Sequence, residues 1–73
     1  PATTIRFTIP KGGNVKLIIY DLLGQEVKTL VNEYREAGVY KINFDASDLN
    51  SGIYLYKIEV NEFIQTLKMT LVK

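Results

Sequence analysis

The stretch Gly52-Ile53-Tyr54-Leu55-Tyr56-Lys57-Ile58-Glu59-Val60, then Asn61-Glu62, then Phe63 through Lys73, decides the fold. Tyr54, Tyr56, Ile58 and Val60 share one face of an extended chain, opposite Leu55, Lys57 and Glu59. Beyond the two polar turn residues, Phe63, Leu67, Met69 and Leu71 share a face, interrupted by Gln65. Ile64, Thr66, Lys68, Thr70 and Val72 form the opposing set. Period-2 alternation on both sides of a short polar turn is the pattern of a β-hairpin.

The same period runs upstream. Ile5, Phe7 and Ile9 alternate with Thr4, Arg6 and Thr8, and Pro10-Lys11-Gly12-Gly13 ends that strand, since proline cannot donate to a ladder. Val15, Leu17 and Ile19 follow, with Ile18 and Tyr20 making both faces apolar, as in a central strand covered on each side. Leu23-Gly24-Gln25 reads as a turn and Gln25 to Leu30 as a strand with Val27 inward. Val31-Asn32 loses the alternation, the signature of an edge or a bulge. Glu33 to Gly38 reads as a polar connection. Tyr40, Ile42 and Phe44 then share a face opposite Lys41 and Asn43, and Asp45 to Gly52 is a turn region rich in Asp, Asn and Ser. No window holds a helical stripe. About six or seven short strands closely spaced by turns predict an all-β chain, a small antiparallel β-sandwich.

Seventy-three residues make one domain, residues 1–73, with a thin core: a chain this short buries only about 60% of its unfolded surface. With no cysteine, no disulfide or thiolate metal site adds stability. The net charge is +1, and Lys16, Lys28, Lys41, Lys57 and Lys68 fall one per strand. Nucleic acid requires a concentration of basic residues, so it is not an expected partner. No apolar run is long enough for a transmembrane helix. The opening Pro1-Ala2-Thr3-Thr4 reads as the start of a piece excised from a longer protein.

Catalysis is not expected. Without histidine or cysteine the usual proton shuttle and thiol nucleophile are missing, and no catalytic residue or cofactor is assigned. Asp45 and Asp48 can offer oxygens to a calcium ion, but their spacing lacks the ligand ladder of a calcium loop, and turn-shaping is the stronger reading. Asp21, before Leu22-Leu23-Gly24, fits an acceptor for turn amides. Gly24, Gly38 and Gly52 sit at strand boundaries as turn glycines. Five tyrosines raise the alternative of an accessory carbohydrate-binding or spacer module. Tyr40, Tyr54 and Tyr56 are in phase with core residues, however, which leaves Tyr34 as the one expected to be exposed. Lys68 and Lys73 bracket Met69-Thr70-Leu71-Val72, a terminal strand that a partner can read through its edge.

Several separated segments carry a family resemblance in the family's order. They are Pro1 to Pro10, Val15 to Val27 with Tyr20-Asp21-Leu22-Leu23-Gly24-Gln25-Glu26-Val27, Glu36-Ala37-Gly38, Phe44 to Tyr54, and the closing Lys68-Met69-Thr70-Leu71-Val72-Lys73. Together they resemble the C-terminal sorting domain of the type IX secretion system, type A, found in Bacteroidetes and relatives. The resemblance covers essentially the whole chain. It implies a small immunoglobulin-like β-sandwich at the C-terminus of a secreted protein. It implies export through the periplasm to the cell surface or medium, and recognition by the outer-membrane translocon. It further implies an N-terminal cargo domain and removal by a sortase-like surface protease. Of the matched motifs, Lys68–Lys73 is the one it implicates in recognition. Family members usually carry an Asn-Pro lead before the first strand, whereas this chain starts at Pro1. An edge strand shortened there leaves the isolated domain able to pair with a second copy as a homodimer.

Overall fold

The computed structural model describes residues 2–72 and contains six strands: β1 (Ala2–Ile9), β2 (Gly13–Tyr20), β3 (Glu26–Arg35), β4 (Gly38–Asp45), β5 (Gly52–Val60) and β6 (Phe63–Leu71). They form two antiparallel sheets, β1-β4 and β3-β2-β5-β6, packed as a sandwich. The chain crosses from the small sheet to the large one after β1, returns for β4, and crosses again into β5.

Alternation builds the core. Ile5, Phe7 and Ile9 of β1 face Val15, Leu17 and Ile19 of β2, with Val31, Phe44, Ala46, Tyr54, Ile58, Val60 and Leu71 completing one buried cluster. No polar or charged residue is buried among those described. Ile18 is also buried, yet it lies on the outer face of β2 and outside that cluster. It stands opposite Lys57, whose ammonium lies 5.3 Å from the Tyr20 ring centroid. The lysine's methylene stem thus crosses the outer face beside Ile18 while its charge stays wet.

Strand β3 differs from expectation. Its strand runs on through Glu33-Tyr34-Arg35, which is not a connection, and only Glu36-Ala37 separates it from β4. Its pairing with β2 steps from Leu17↔Val31 to Ile18↔Thr29, and from Ile19↔Lys28 to Tyr20↔Glu26. Leu30 and Val27 are therefore extra residues, and each bulge resets the phase. Val27 ends up exposed rather than inward, and Lys28 takes the core-side position. From there Lys28 reaches across to β4, where its Nζ donates to the Asp45 carbonyl (3.2 Å) and lies 5.9 Å from the Phe44 ring centroid. At the other end of β3 the Arg35 guanidinium sits 5.1 Å from the Tyr40 ring, which stacks on Phe7 at 5.6 Å. Two cation–π contacts close this side of the sandwich.

The opposite side is open. Phe63 and Leu67 point toward the small sheet in alternation, as the sequence indicates, but are 50% and 38% exposed. A two-stranded sheet facing a four-stranded one is too narrow to cover β6 along its whole length.

Two tyrosines latch the crossovers. Tyr54 Oη donates to the Asn50 carbonyl at 2.7 Å, and Tyr40 Oη donates to the Glu36 carbonyl at 2.6 Å. Each ties a strand's start to the backbone four residues upstream. The Tyr54 latch, at the β4–β5 crossing, is the tyrosine-corner geometry of immunoglobulin-like sandwiches. Tyr54→Phe keeps the ring and deletes one hydrogen bond, so a loss of about 0.5–1.5 kcal/mol is expected. That corresponds to a Tm lower by roughly 2–12 °C, read by thermal melts.

Candidate recognition segment and its turn motifs

The terminal segment is a regular edge strand. β6 pairs with β5 through nine residues without a register shift. Within Lys68–Val72, Lys68 and Thr70 face outward and are exposed, Met69 is half-buried, Leu71 is buried in the core, and Val72 is 78% exposed. Lys73 lies outside the described residues. Alternation explains this split: Met69 and Leu71 lie opposite Tyr54 and Gly52 on the core side, while Lys68 and Thr70 lie opposite Leu55 and Ile53.

This register brings together three segments that are far apart in sequence. Tyr20 pairs with Leu55, and Leu55 pairs with Lys68. The start of β5 thus lies between the end of β2 and the end of β6. The Tyr20–Val27, Gly52–Lys57 and Lys68–Val72 segments meet at one end of the large sheet.

The turns at that end are held by carboxylates. Asp21 Oδ1 accepts from the Leu23 and Gln25 amides (2.9 and 3.0 Å), and the Asp21 carbonyl accepts from Gly24 N at 3.1 Å. Gly24 itself takes φ +85°, a left-handed conformation in which a side chain is strained even though space is open there. Gly38 and Gly52 open β4 and β5. Asp45 Oδ1 accepts from the Ser47 amide at 2.9 Å. Asp48 Oδ1 lies 3.5 Å from Lys28 Nζ. Among the described residues no group of three or more Asp, Glu, His or Cys gathers to hold a metal ion.

Hydrogen bonds from the Ser47 amide and side chain hold the Asp45 carboxyl below its usual range. A carboxyl whose folded-state value is depressed contributes stability above its unfolded value. That contribution is lost as pH falls through the folded value. Asp45→Asn is therefore expected to lower Tm at neutral pH. The gap to the parent should shrink as pH falls through the depressed folded value, where the Asp45 carboxyl takes up its proton.

The tyrosines do not make a platform. Tyr40 and Tyr54 spend their hydroxyls on backbone, Tyr20 and Tyr56 are half-buried, and Tyr34 alone is widely exposed, at 62%. A shallow hollow of about 380 Å³ on the other end of the large sheet is lined by Asn14, Lys16, Asn32, Glu33, Glu59 and Asn61, with no aromatic wall. No helix among the described residues is long and apolar enough to cross a membrane.

Sequence reasoning missed the contacts made by Lys28, because the bulges that aim it are invisible to simple alternation. The Asp21 and Asp45 acceptors were readable from residue type and turn position.

No curated protein and no solved structure is significantly similar to the chain. The family model described as "Secretion system C-terminal sorting domain" matches residues 1–73. Matched over its whole length and folded as an all-β sandwich that ends in an edge strand, the chain belongs to the secretion system C-terminal sorting domains of type IX secretion.

Proposed function

We propose that the domain is a non-catalytic export tag read by the type IX translocon through the outward side and edge of β6, and that a sortase-like protease then removes it from its cargo at the cell surface. The observation that carries this reading is the division of labour within the last strand. Leu71 anchors the segment in the core, while Lys68 and Thr70 stand exposed on an edge strand that pairs, among the described residues, with β5 alone. An exposed edge offers a partner main-chain hydrogen bonds, and alternate side chains supply selectivity. Family membership supports an N-terminal cargo and delivery to the surface or medium.

The test fuses residues 1–73 to a periplasm-targeted inert reporter in a bacterium with type IX secretion. Reporter is then quantified in periplasm, surface and medium, and its mass is measured after export. Export of the full fusion together with loss of the domain's mass is the expected result. A folded fusion that stays in the periplasm would sink the reading. Export with the domain still attached would remove the cleavage step alone.

A further inference from the structure

The outer face of the β1–β4 sheet sets two like charges side by side. Arg6 lies directly across from Lys41 in the antiparallel register, and both are exposed. Directly opposed residues hold their Cβ atoms about 4.5–5.5 Å apart, where like charges destabilise the pair. Among the described residues neither cation forms an ion pair. Asp45, on the same row of β4, is four residues from Lys41, roughly 13 Å along the strand. Three other cations are engaged: Lys28 with Asp48 and Phe44, Arg35 with Glu33 and Tyr40, Lys57 with Tyr20. Exposed Lys11, Lys16 and Lys68 also lack an ion pair among the described residues, but none of them stands directly opposite a second cation. The positions flanking the opposed pair supply neutral polar groups and one apolar group. Thr4 Oγ1 lies 2.6 Å from Asn43 Oδ1 on one side. On the other, Thr8 faces Val39, which is 68% exposed.

We propose that this face docks an acidic segment of a protein partner, with a carboxylate entering between Arg6 and Lys41 and an apolar side chain resting on Val39. Charge complementarity selects the carboxylate, since Arg6 offers a planar fork and Lys41 a second point charge to one anionic group. Val39 selects protein over a phosphate-bearing surface, because a bare anion leaves it uncovered. The cations also form a single pair, not the cluster that an anionic lipid surface attracts. Eight residues per strand give a face only about 26 Å long and two strands wide. An interface of that size suits a transient, salt-sensitive contact. The contact lies on the opposite sheet from β6, and its test does not depend on export.

The isotopically labelled domain is titrated at low salt with a peptide of about twelve residues alternating Glu and Val, and amide shifts are followed by NMR. Shifts grouped on Thr4–Thr8 and Val39–Asn43 are expected, with affinity falling about tenfold between low salt and roughly 0.3 M. Lys41→Glu should abolish binding yet raise Tm by a few degrees, since it turns a repulsive pair into an attractive one. A merely structural Lys41 would lose stability instead, which overturns the proposal. So would shifts spread over Lys16, Lys57 and Lys68, or binding that survives Lys41→Glu. Phosphatidylglycerol vesicles producing the same shift pattern more strongly than the peptide would overturn the protein partner in favour of a membrane surface.

Discussion

Leu17→Ala is expected to cost about 2–5 kcal/mol and to shift the urea midpoint far below that of the parent. Leu17 is fully buried in β2, a strand hydrogen-bonded on both sides, where it lies opposite Val31 on β3 and Ile58 on β5. The β1–β4 sheet covers it from above, so no neighbour can move in to fill the space without breaking a ladder. A domain of this size has on the order of 4–11 kcal/mol in total, and one such cavity removes a large share of it. The matched control is Leu67→Ala, the same deletion on β6, where the side chain is already 38% exposed. There the loss should stay below about 1 kcal/mol. Urea unfolding followed by circular dichroism measures both. Equal costs would contradict the claim that the small sheet leaves the start of β6 uncovered.

That contrast also separates what was legible in the sequence from what was not. Alternation fixes the phase of a strand, and the phases of β1, β2, β4, β5 and β6 all follow from it, because the side-chain period is two. It does not fix coverage. Phe63 and Leu67 are on the expected face, but whether that face is dry depends on how many strands the opposite sheet contains, a property of the whole topology. β3 was the least readable strand because Leu30 and Val27 each insert a residue and reset the period. Val27 consequently points out, and Lys28 lands where it can reach Asp45 and Phe44.

The candidate site divides along the same line. Asp21 and Asp45 reveal themselves locally, since a short carboxylate near a turn finds amides within a few residues. The convergence of Tyr20, Leu55 and Lys68 needs the register of two strand pairs, and the Arg6–Lys41 opposition needs that of a third. No single segment of sequence contains either. The tyrosine latches lie between these extremes. Core phase plus a polar rim partner was readable for Tyr40 and Tyr54, whereas the partner carbonyls, Glu36 and Asn50, come from the turn geometry.

The double substitution Lys68→Glu with Thr70→Glu is expected to cut export of a fused reporter tenfold or more while the domain stays folded. Both side chains are exposed on the outer face of β6, away from the core cluster, so packing does not oppose the change. Surface substitutions of this kind usually shift stability by no more than about 0.5 kcal/mol each, a few degrees in Tm. For a partner pairing with this edge, two carboxylates replace a cation and a neutral hydroxyl. An interface complementary to Lys68 would then hold like charges close together, which costs several kcal/mol at a desolvated contact. Truncation after Thr66 is the weaker experiment, because it also deletes buried Leu71 and half of the β5–β6 pairing. Lost export in that variant confuses unfolding with lost recognition. The double variant, checked by its melting curve and assayed for reporter in periplasm and medium, removes the confusion. A folded double variant exported as well as the parent would move recognition off the outer side of β6. The remaining contact at this end of the sheet would then be the Asp21–Gly24 turn or the start of β5, both of which the register sets beside it.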